Sequence, residues 1–260
     1  MLQLETYGEV TRVHMFTSVS RAIGYSVSAY LVRGTLIDVG FPAVARELAA
    51  FLDEVRPQGV LITHHHEDHA GNVELAARRA LPVAAAEQTL AALRAPEPIG
   101  LYRRVIWGAP AALATPVRRF ESDALTLVHT PGHSADHHVV WDAERETVFA
   151  GDLFLGVKVR VAHPGEDPRQ LARSLRAVAA LNPKRMFDAH RGLVPKPVNA
   201  LLAKADWLEA TIAAVEGRIA LGWGDRPIAR DVLGREELAH YVSLGKMSRI
   251  NFVRAVRRAM

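Results

Sequence analysis

Apolar positions in the first forty residues fall in short runs or alternate with polar ones. "VTRVHMFT" (10–17) and "YSVSAYLV" (25–32) are rich in β-branched and aromatic residues, and "TLIDVG" (35–40) closes an apolar run on Asp38 and Gly40. This pattern predicts β-structure across residues 10–39. The period then lengthens: "PAVARELAAFLDEV" (42–55) carries apolar residues at helical spacing, with Pro42 suited to a first turn. "GVLIT" (59–63) reads as a buried strand, "NVELAARRA" as a helix, "LPVAAA" as a strand and 86–93 as a short helix. Residues Pro96 to Pro116 show no period and read as irregular. Strands are expected again at "ALTLVHT", "HHVVWD" and "ETVFAG", followed by a helix over 168–181 and the strand "RMFDA".

After "GLVPKPVNA" the texture turns helical. Leu201, Leu202, Ala205, Leu208, Ile212, Val215 and Ile219 trace one face of a long helix. "REELAHYVSLGKMSRINFVRAVRRA" continues it with a break near Gly245 and an expected apolar side at Met247, Ile250, Val253, Val256 and Met260. The order of elements predicts an α/β (α+β) fold with sheets packed together and helices outside. The expected division is a main body over 1–195 and a C-terminal helical extension over 196–260 packed on it.

Composition narrows the chemistry. The 260 residues contain no cysteine and twelve histidines. Disulfides, thiolate nucleophiles and Cys-based zinc sites are thereby excluded, so a metal has to be held by His, Asp or Glu. The formal charge of +4 says little alone. Its excess is partly local, with Lys246, Arg249, Arg254, Arg257 and Arg258 in the last fifteen residues, which reads first as a solvated helix face. No apolar run approaches the roughly 20 residues needed to span a bilayer. The opening "MLQLETYGEV" has neither a basic region nor an apolar core of a signal peptide, and a cytoplasmic location is expected.

Four segments carry the candidate chemistry. "THHHEDHAGN" follows the strand at 59–63, and in an extended chain side chains two apart point the same way, so His64 and His66 can grip one ion while His65 is aimed elsewhere. Asp68 and His69 come where the chain turns toward a helix and can face a second ion. "HTPGHSADHH" sets His133 past a Pro-Gly turn, "VFAGDLF" ends a strand at Gly151 and Asp152, and "RMFDAHRG" ends another at His190. Each candidate ligand sits at a strand terminus, so all can converge on one edge of the sheets.

This ordered set, H-x-H-x-D-H, then T-P-G-H-S, then G-D, then a late His, resembles the metallo-β-lactamase superfamily of hydrolases over roughly residues 10–195. The resemblance implies a four-layered αβ/βα sandwich with metals at the edge between two sheets. It implies one ion held by His64, His66 and His133, another by Asp68, His69 and His190, and Asp152 bridging both. Such donors suit Zn²⁺, while iron and manganese also fit mixed N/O sites. The activity implied is attack by a metal-bridging hydroxide on a thioester, ester or lactone carbonyl, with Asp68 orienting the nucleophile. The branch most similar is the glyoxalase II-like (hydroxyacylglutathione hydrolase-related) one, although the C-terminal helices lack its glutathione-binding features.

Asp38 and His137 are candidates for holding the ligating imidazoles. Tyr102, Arg103, Arg104 and Trp107, with Lys158, Arg160 and Arg191, are candidates for contact with a small acyl substrate. Ser134 reads as a turn hydroxyl; His65, His129, His138 and His163 read as structural or exposed; Glu67 occupies no ligand position of the motif. Two other readings stay open. One is a phosphodiesterase or endoribonuclease, with the basic C-terminal helix as a nucleic-acid surface. The other is an iron-dependent oxidoreductase of the persulfide dioxygenase type, against which "GDLFLGVKVR" lacks the arginine-rich segment expected after the aspartate. No membrane partner is expected, and a homodimer is among the allowed assemblies.

Overall fold

Eleven strands form two mixed sheets in the computed structural model, which describes residues 1–260, the side chain of Ala239 aside. The first sheet contains β1 (Leu2–Tyr7), β2 (Val10–Met15), β3 (Val27–Val32), β4 (Thr35–Ile37), β5 (Gly59–Leu61) and β6 (Val83–Ala84), in that spatial order. It is antiparallel up to β4 and parallel from β4 through β6. The second contains β7 (Thr126–His129), β8 (His138–Asp142), β9 (Thr147–Phe149), β10 (Arg185–Asp188) and β11 (Gly192–Val194), ordered β11-β10-β9-β8-β7 with β9 and β10 parallel.

Strand alternation builds the layers. Successive residues of one strand point to opposite faces, and here both faces are apolar. Ile37, Leu61, Val140, Phe149 and Phe187 meet between the sheets. Their neighbours Leu36, Val60 and Ile62 face outward from the first sheet, under α2 (Ala45–Val55) and α4 (Val73–Arg78). Val139, Val148 and Met186 face outward from the second, under α7 (Pro168–Ala180) and α8 (Pro197–Ala220). The result is the expected helix–sheet–sheet–helix sandwich. α8 packs on α7, and Leu201, Leu208 and Val215 of α8 share a core with the second sheet. Beyond it lie α9 (Asp225–Ile228), a π-helical turn at Ala229–Leu233, α10 (Leu238–Val242) and α11 (Arg249–Arg258).

Several sequence expectations need correction. Residues 10–39 are not all β: α1 (Ser18–Ala22) lies between β2 and β3, started by Thr17, whose hydroxyl accepts from the Ser20 N–H. The segment 96–116 is not wholly irregular, because α6 (Leu101–Trp107) forms between Gly100 and Gly108. Its apolar residues are split, Leu101 and Val105 exposed and Ile106 and Trp107 buried, so no single apolar stripe announces it. A further short helix is α3 (Glu67–Ala70), directly after the histidine cluster, whereas α5 (Glu87–Arg94) is the short helix expected over 86–93. In α11 the buried side is Phe252, Val253 and Val256, whereas Met260 lies past the helix end and is exposed.

Candidate metal centre

The four chemistry-bearing segments leave the ends of β5, β7, β9 and β10 on one edge of the sandwich, and their side chains meet there. His64, His66, His133 and Asp152 place donor atoms within 4.8 Å of one another, and so do Asp68, His69, Asp152 and His190. Asp152 belongs to both groups. Its Oδ2 lies 3.3 Å from His133 Nε2, and its Oδ1 lies 3.1 Å from both His69 Nε2 and His190 Nε2. In the first group His66 Nδ1 is 3.0 Å from His64 Nε2 and from His133 Nε2. In the second, Asp68 Oδ2 stands 3.6 Å from His190 Nε2.

Backbone geometry fixes these positions. Gly151 has φ +48°, and a Cβ there would stand 2.8 Å from His137 Nε2, so Asp152 can approach the cluster only behind a glycine. Gly132 of the Pro-Gly turn lies so close to α7 that a Cβ would meet the Leu171 nitrogen at 2.3 Å. Asp136 joins two of the segments: its carboxylate accepts from the His65 N–H and side chain and from the hydroxyls of Thr89 and Ser134. His65 therefore points away from the cluster toward Asp136, and Ser134 serves the turn.

Hydrogen bonds on the far side of the rings set the tautomers. Asp38, in the left-handed region at φ +62°, accepts from the Thr63 N–H at 2.8 Å, the Thr63 hydroxyl at 2.9 Å and His69 Nδ1–H at 2.8 Å. Having given its proton to Asp38, Thr63 Oγ1 receives that of His64 Nδ1 at 3.0 Å. His190 Nδ1–H donates to the Ser26 carbonyl at 2.6 Å. All three rings thus turn Nε2 inward, the nitrogen left to serve a cation. His137 behaves differently: its Nε2 accepts from the Asp152 N–H at 3.0 Å and its other nitrogen meets Thr130 Oγ1, so it holds the backbone of Asp152.

The electrostatics divide the same way. Burial and the neighbouring imidazoles keep His64 and His66 well below the ordinary histidine range, and burial takes His133 down to about 4. Burial would also lower His69 and His190, but Asp152 outweighs it, raising His69 well above the ordinary range and His190 to about 9. For Asp152, burial would raise the carboxyl, yet His190, His69 and His133 hold it well below the usual range. Neutral His64, His66 and His133 turn lone pairs toward the charged Asp152 carboxylate, while His69 and His190 hold protons that a divalent cation would displace, and together they form a donor set for such cations. The buried Nε2 of His69, Oδ1 of Asp68 and Oδ1 of Asp152 have no hydrogen-bond partner, as expected of atoms that serve a metal.

A cavity of about 710 Å³ opens onto this cluster. Tyr102, Arg103, Trp107 and Arg191 line it, whereas Arg104, Lys158 and Arg160 are exposed and outside the described wall. Lys158 follows a ligand segment in sequence, but its side chain is exposed while its neighbour Val159 lines the cavity. His163 lines the cavity rather than facing solvent. The sequence reading set Glu67 aside and passed over two further ionisable groups at the site, Glu166 and Lys204. Glu67 is buried, raised by that burial, and paired with the Arg103 guanidinium, which also stands 3.7 Å from Asp68 Oδ1. Glu166, pushed by burial up to about 7, lies 3.8 Å from His133 Nδ1. Lys204 of α8 is fully buried, lowered to about 8, and donates to the Leu153 and Phe154 carbonyls directly after Asp152. A lysine inside the apolar run Leu201–Leu208 was the available signal for it.

Fold and site together define a metal-binding α/β sandwich of the hydrolase type. Residues 22–190 match the family model of the Metallo-beta-lactamase superfamily, and the chain belongs to that superfamily. It is 28% identical over 214 residues to a "Beta-lactamase-like protein 2 homolog" of Drosophila melanogaster, covering 74% of this chain and 70% of that protein. The Caenorhabditis elegans protein of the same description is 25% identical over 203 residues, covering 70% of this chain. "Thioesterase pkgB" of Emericella nidulans is 29% identical over 191 residues, covering 66% of this chain. The matched stretches span 64% of the Caenorhabditis protein and 50% of the Emericella protein. Among solved structures, a metallo-beta-lactamase family protein from Thermus thermophilus has a TM-score of 0.67 at 18% identity, covering 95% of this chain and 91% of its own. The metallo-beta-lactamase DIM-1 has a TM-score of 0.61 at 16% identity, covering 80% of this chain and 97% of its own. No helix among the described residues is long and apolar enough to cross a membrane.

Proposed function

We propose that the chain is a dinuclear metal-dependent hydrolase of small thioesters, esters or lactones, with His64, His66 and His133 holding one cation, Asp68, His69 and His190 the other, and Asp152 shared. The observation that carries this reading is the single Asp152 carboxylate presenting one oxygen to each of two donor groups. Bound Zn²⁺, Fe or Mn would supply Lewis acidity and lower the pKa of a water from 15.7 to about 7.

The chain's own residues do the rest. Asp68, which lines the cavity, orients the attacking water. The Glu67–Arg103 pair fixes the guanidinium beside Asp68 and so positions that carboxylate. Water adds across the acyl bond: its oxygen ends on the carboxylic acid, and the thiol or alcohol leaves with a proton. His137 and Lys204 hold the backbone on either side of Asp152 while this happens.

The thioester is the first substrate class to try, supported by the likeness to a protein named a thioesterase. Against the phosphodiesterase reading, the C-terminal cations are largely spoken for. Arg254 and Arg257 pair with Asp225, and Arg249 is buried on Glu237. The test is a panel of thioesters (a glutathione thioester included), lactones, aryl esters, phosphodiesters and β-lactams, with metal analysis of the same preparation. Acyl turnover that disappears together with bound metal in Asp152→Ala is the expected result. Phosphodiester turnover without acyl turnover, or full activity and metal content in Asp152→Ala, would overturn the reading.

A further inference from the structure

The cavity that opens onto the metal cluster is far larger than an acetyl group needs, and its composition changes away from the cluster. Its volume of about 710 Å³ falls within the range of about 300–1,000 Å³ typical of small-molecule sites. His66, Asp68, Asp152 and His190 contribute the polar wall, but the segment beyond Pro197 contributes Leu208, Leu238, Val242, Met247 and Phe252. Two of the polar groups nearby are occupied within the protein. Lys204 gives its ammonium to the Leu153 and Phe154 carbonyls, and Glu166 accepts from the His163 N–H.

The mouth shows the same character. Ile23 and Tyr25, following α1, are 51% and 42% exposed, and Leu238 and Val242 of α10 are 76% and 52% exposed, yet all four line this one cavity. Scattered apolar residues on a surface need no explanation, but large ones gathered around a single opening mark a site for an apolar ligand.

We infer that this cavity receives the acyl part of the substrate as a large hydrocarbon group, and that the C-terminal helices are its specificity wall. The inference rests on the acyl-hydrolase reading above. The carbonyl lies at the metal cluster, and the hydrocarbon lies against Leu208, Met247 and Phe252 of the C-terminal segment and Val161 of the loop after Asp152. Each methylene buried there strengthens binding by about 0.8 kcal/mol, about fourfold.

The experiment compares acetyl, butyryl and octanoyl thioesters of one thiol on the metal-loaded protein, and in parallel measures 1-octanol binding by calorimetry, which requires no turnover. The expected results are a kcat/KM at least about tenfold higher for octanoyl than for acetyl, and octanol binding with a negative heat-capacity change. Val242→Trp and Val161→Phe, which fill the cavity from different elements, should each shrink the octanoyl-to-acetyl ratio and weaken octanol binding. Val242 is half exposed, so its variant should fold even if the other does not. A flat or falling preference with chain length, or octanol binding indifferent to both substitutions, would overturn the inference. If no acyl substrate of any length is hydrolysed, the functional reading fails, and octanol binding alone then decides the cavity: loss in the filled variants supports it, and no binding to the unaltered protein refutes it.

Discussion

Asp38 touches no part of the cavity wall, yet the geometry makes it answerable for two of the inward-facing imidazoles. Asp38→Ala deletes three buried hydrogen bonds at once, to the Thr63 N–H, the Thr63 hydroxyl and His69 Nδ1–H. Each is worth about 1 kcal/mol net, and donors left buried without partners cost more. Alanine at φ +62° adds about 1–2 kcal/mol of backbone strain. Together these predict a loss of about 4–6 kcal/mol, a large share of the roughly 5–15 kcal/mol that holds a domain folded. Asp38→Asn separates strain from tautomer control. Asparagine tolerates the left-handed backbone and can still accept from the Thr63 N–H. Its amide group, however, would confront the Thr63 hydroxyl and His69 Nδ1–H with a third donor. Thr63 can rotate; His69 is relieved only by moving its proton to Nε2, the atom that faces Asp152. Asp38→Asn should therefore unfold in urea within about 2 kcal/mol of the unaltered protein, while chelator competition shows metal affinity about 10–100-fold weaker. Unchanged metal affinity in the Asn variant would refute the claim that Asp38 sets the His69 tautomer.

Two further outcomes follow from the same contacts. His65→Ala should keep its metal, because the bond from the residue 65 N–H to Asp136 survives, whereas His66→Ala should lose more than about tenfold in affinity; equal losses by elemental analysis would mean that the register of the cluster is misread. Glu74, held at about 2 chiefly by the Thr115 N–H and also by Arg78 and the Ala114 N–H, has a folded pKa below its unfolded value of about 4.3. Its stabilisation is present above pH ~4.3 and is lost as the pH falls toward 2. Glu74→Gln should flatten the decline of unfolding free energy across that window, and an unaltered slope would show that the carboxylate is not held charged by these bonds.

Sheets with helices outside them, and the pairing of His64 with His66, were legible in the sequence for a local reason, whereas the four layers and the full set of seven residues followed from the resemblance to the superfamily. Strand alternation and the two-residue spacing of His64 and His66 are properties of short windows, fixed by the geometry of an extended chain. The short helix Leu101–Trp107 was not legible, because its apolar residues are divided between a buried and an exposed side. Lys158 and Arg191 looked alike in sequence, each a cation shortly after a ligand segment. Only Arg191 lines the cavity.

By itself, the sequence determined the donor types, their order and their positions at strand ends; the absence of cysteine left His, Asp and Glu as the donors available. Tertiary structure decided what surrounds them. The contact of Glu67 with Arg103 spans 36 positions, that of His65 with Asp136 spans 71, and that of Lys204 with Leu153 spans 51. No periodicity encodes such pairings, because they depend on how two sheets and their outer helices stack, and burial acts on a side chain only once that stack has excluded water from it. The same packing carried the apolar face of the C-terminal helices to the metal edge and made an outer helix part of the cavity wall.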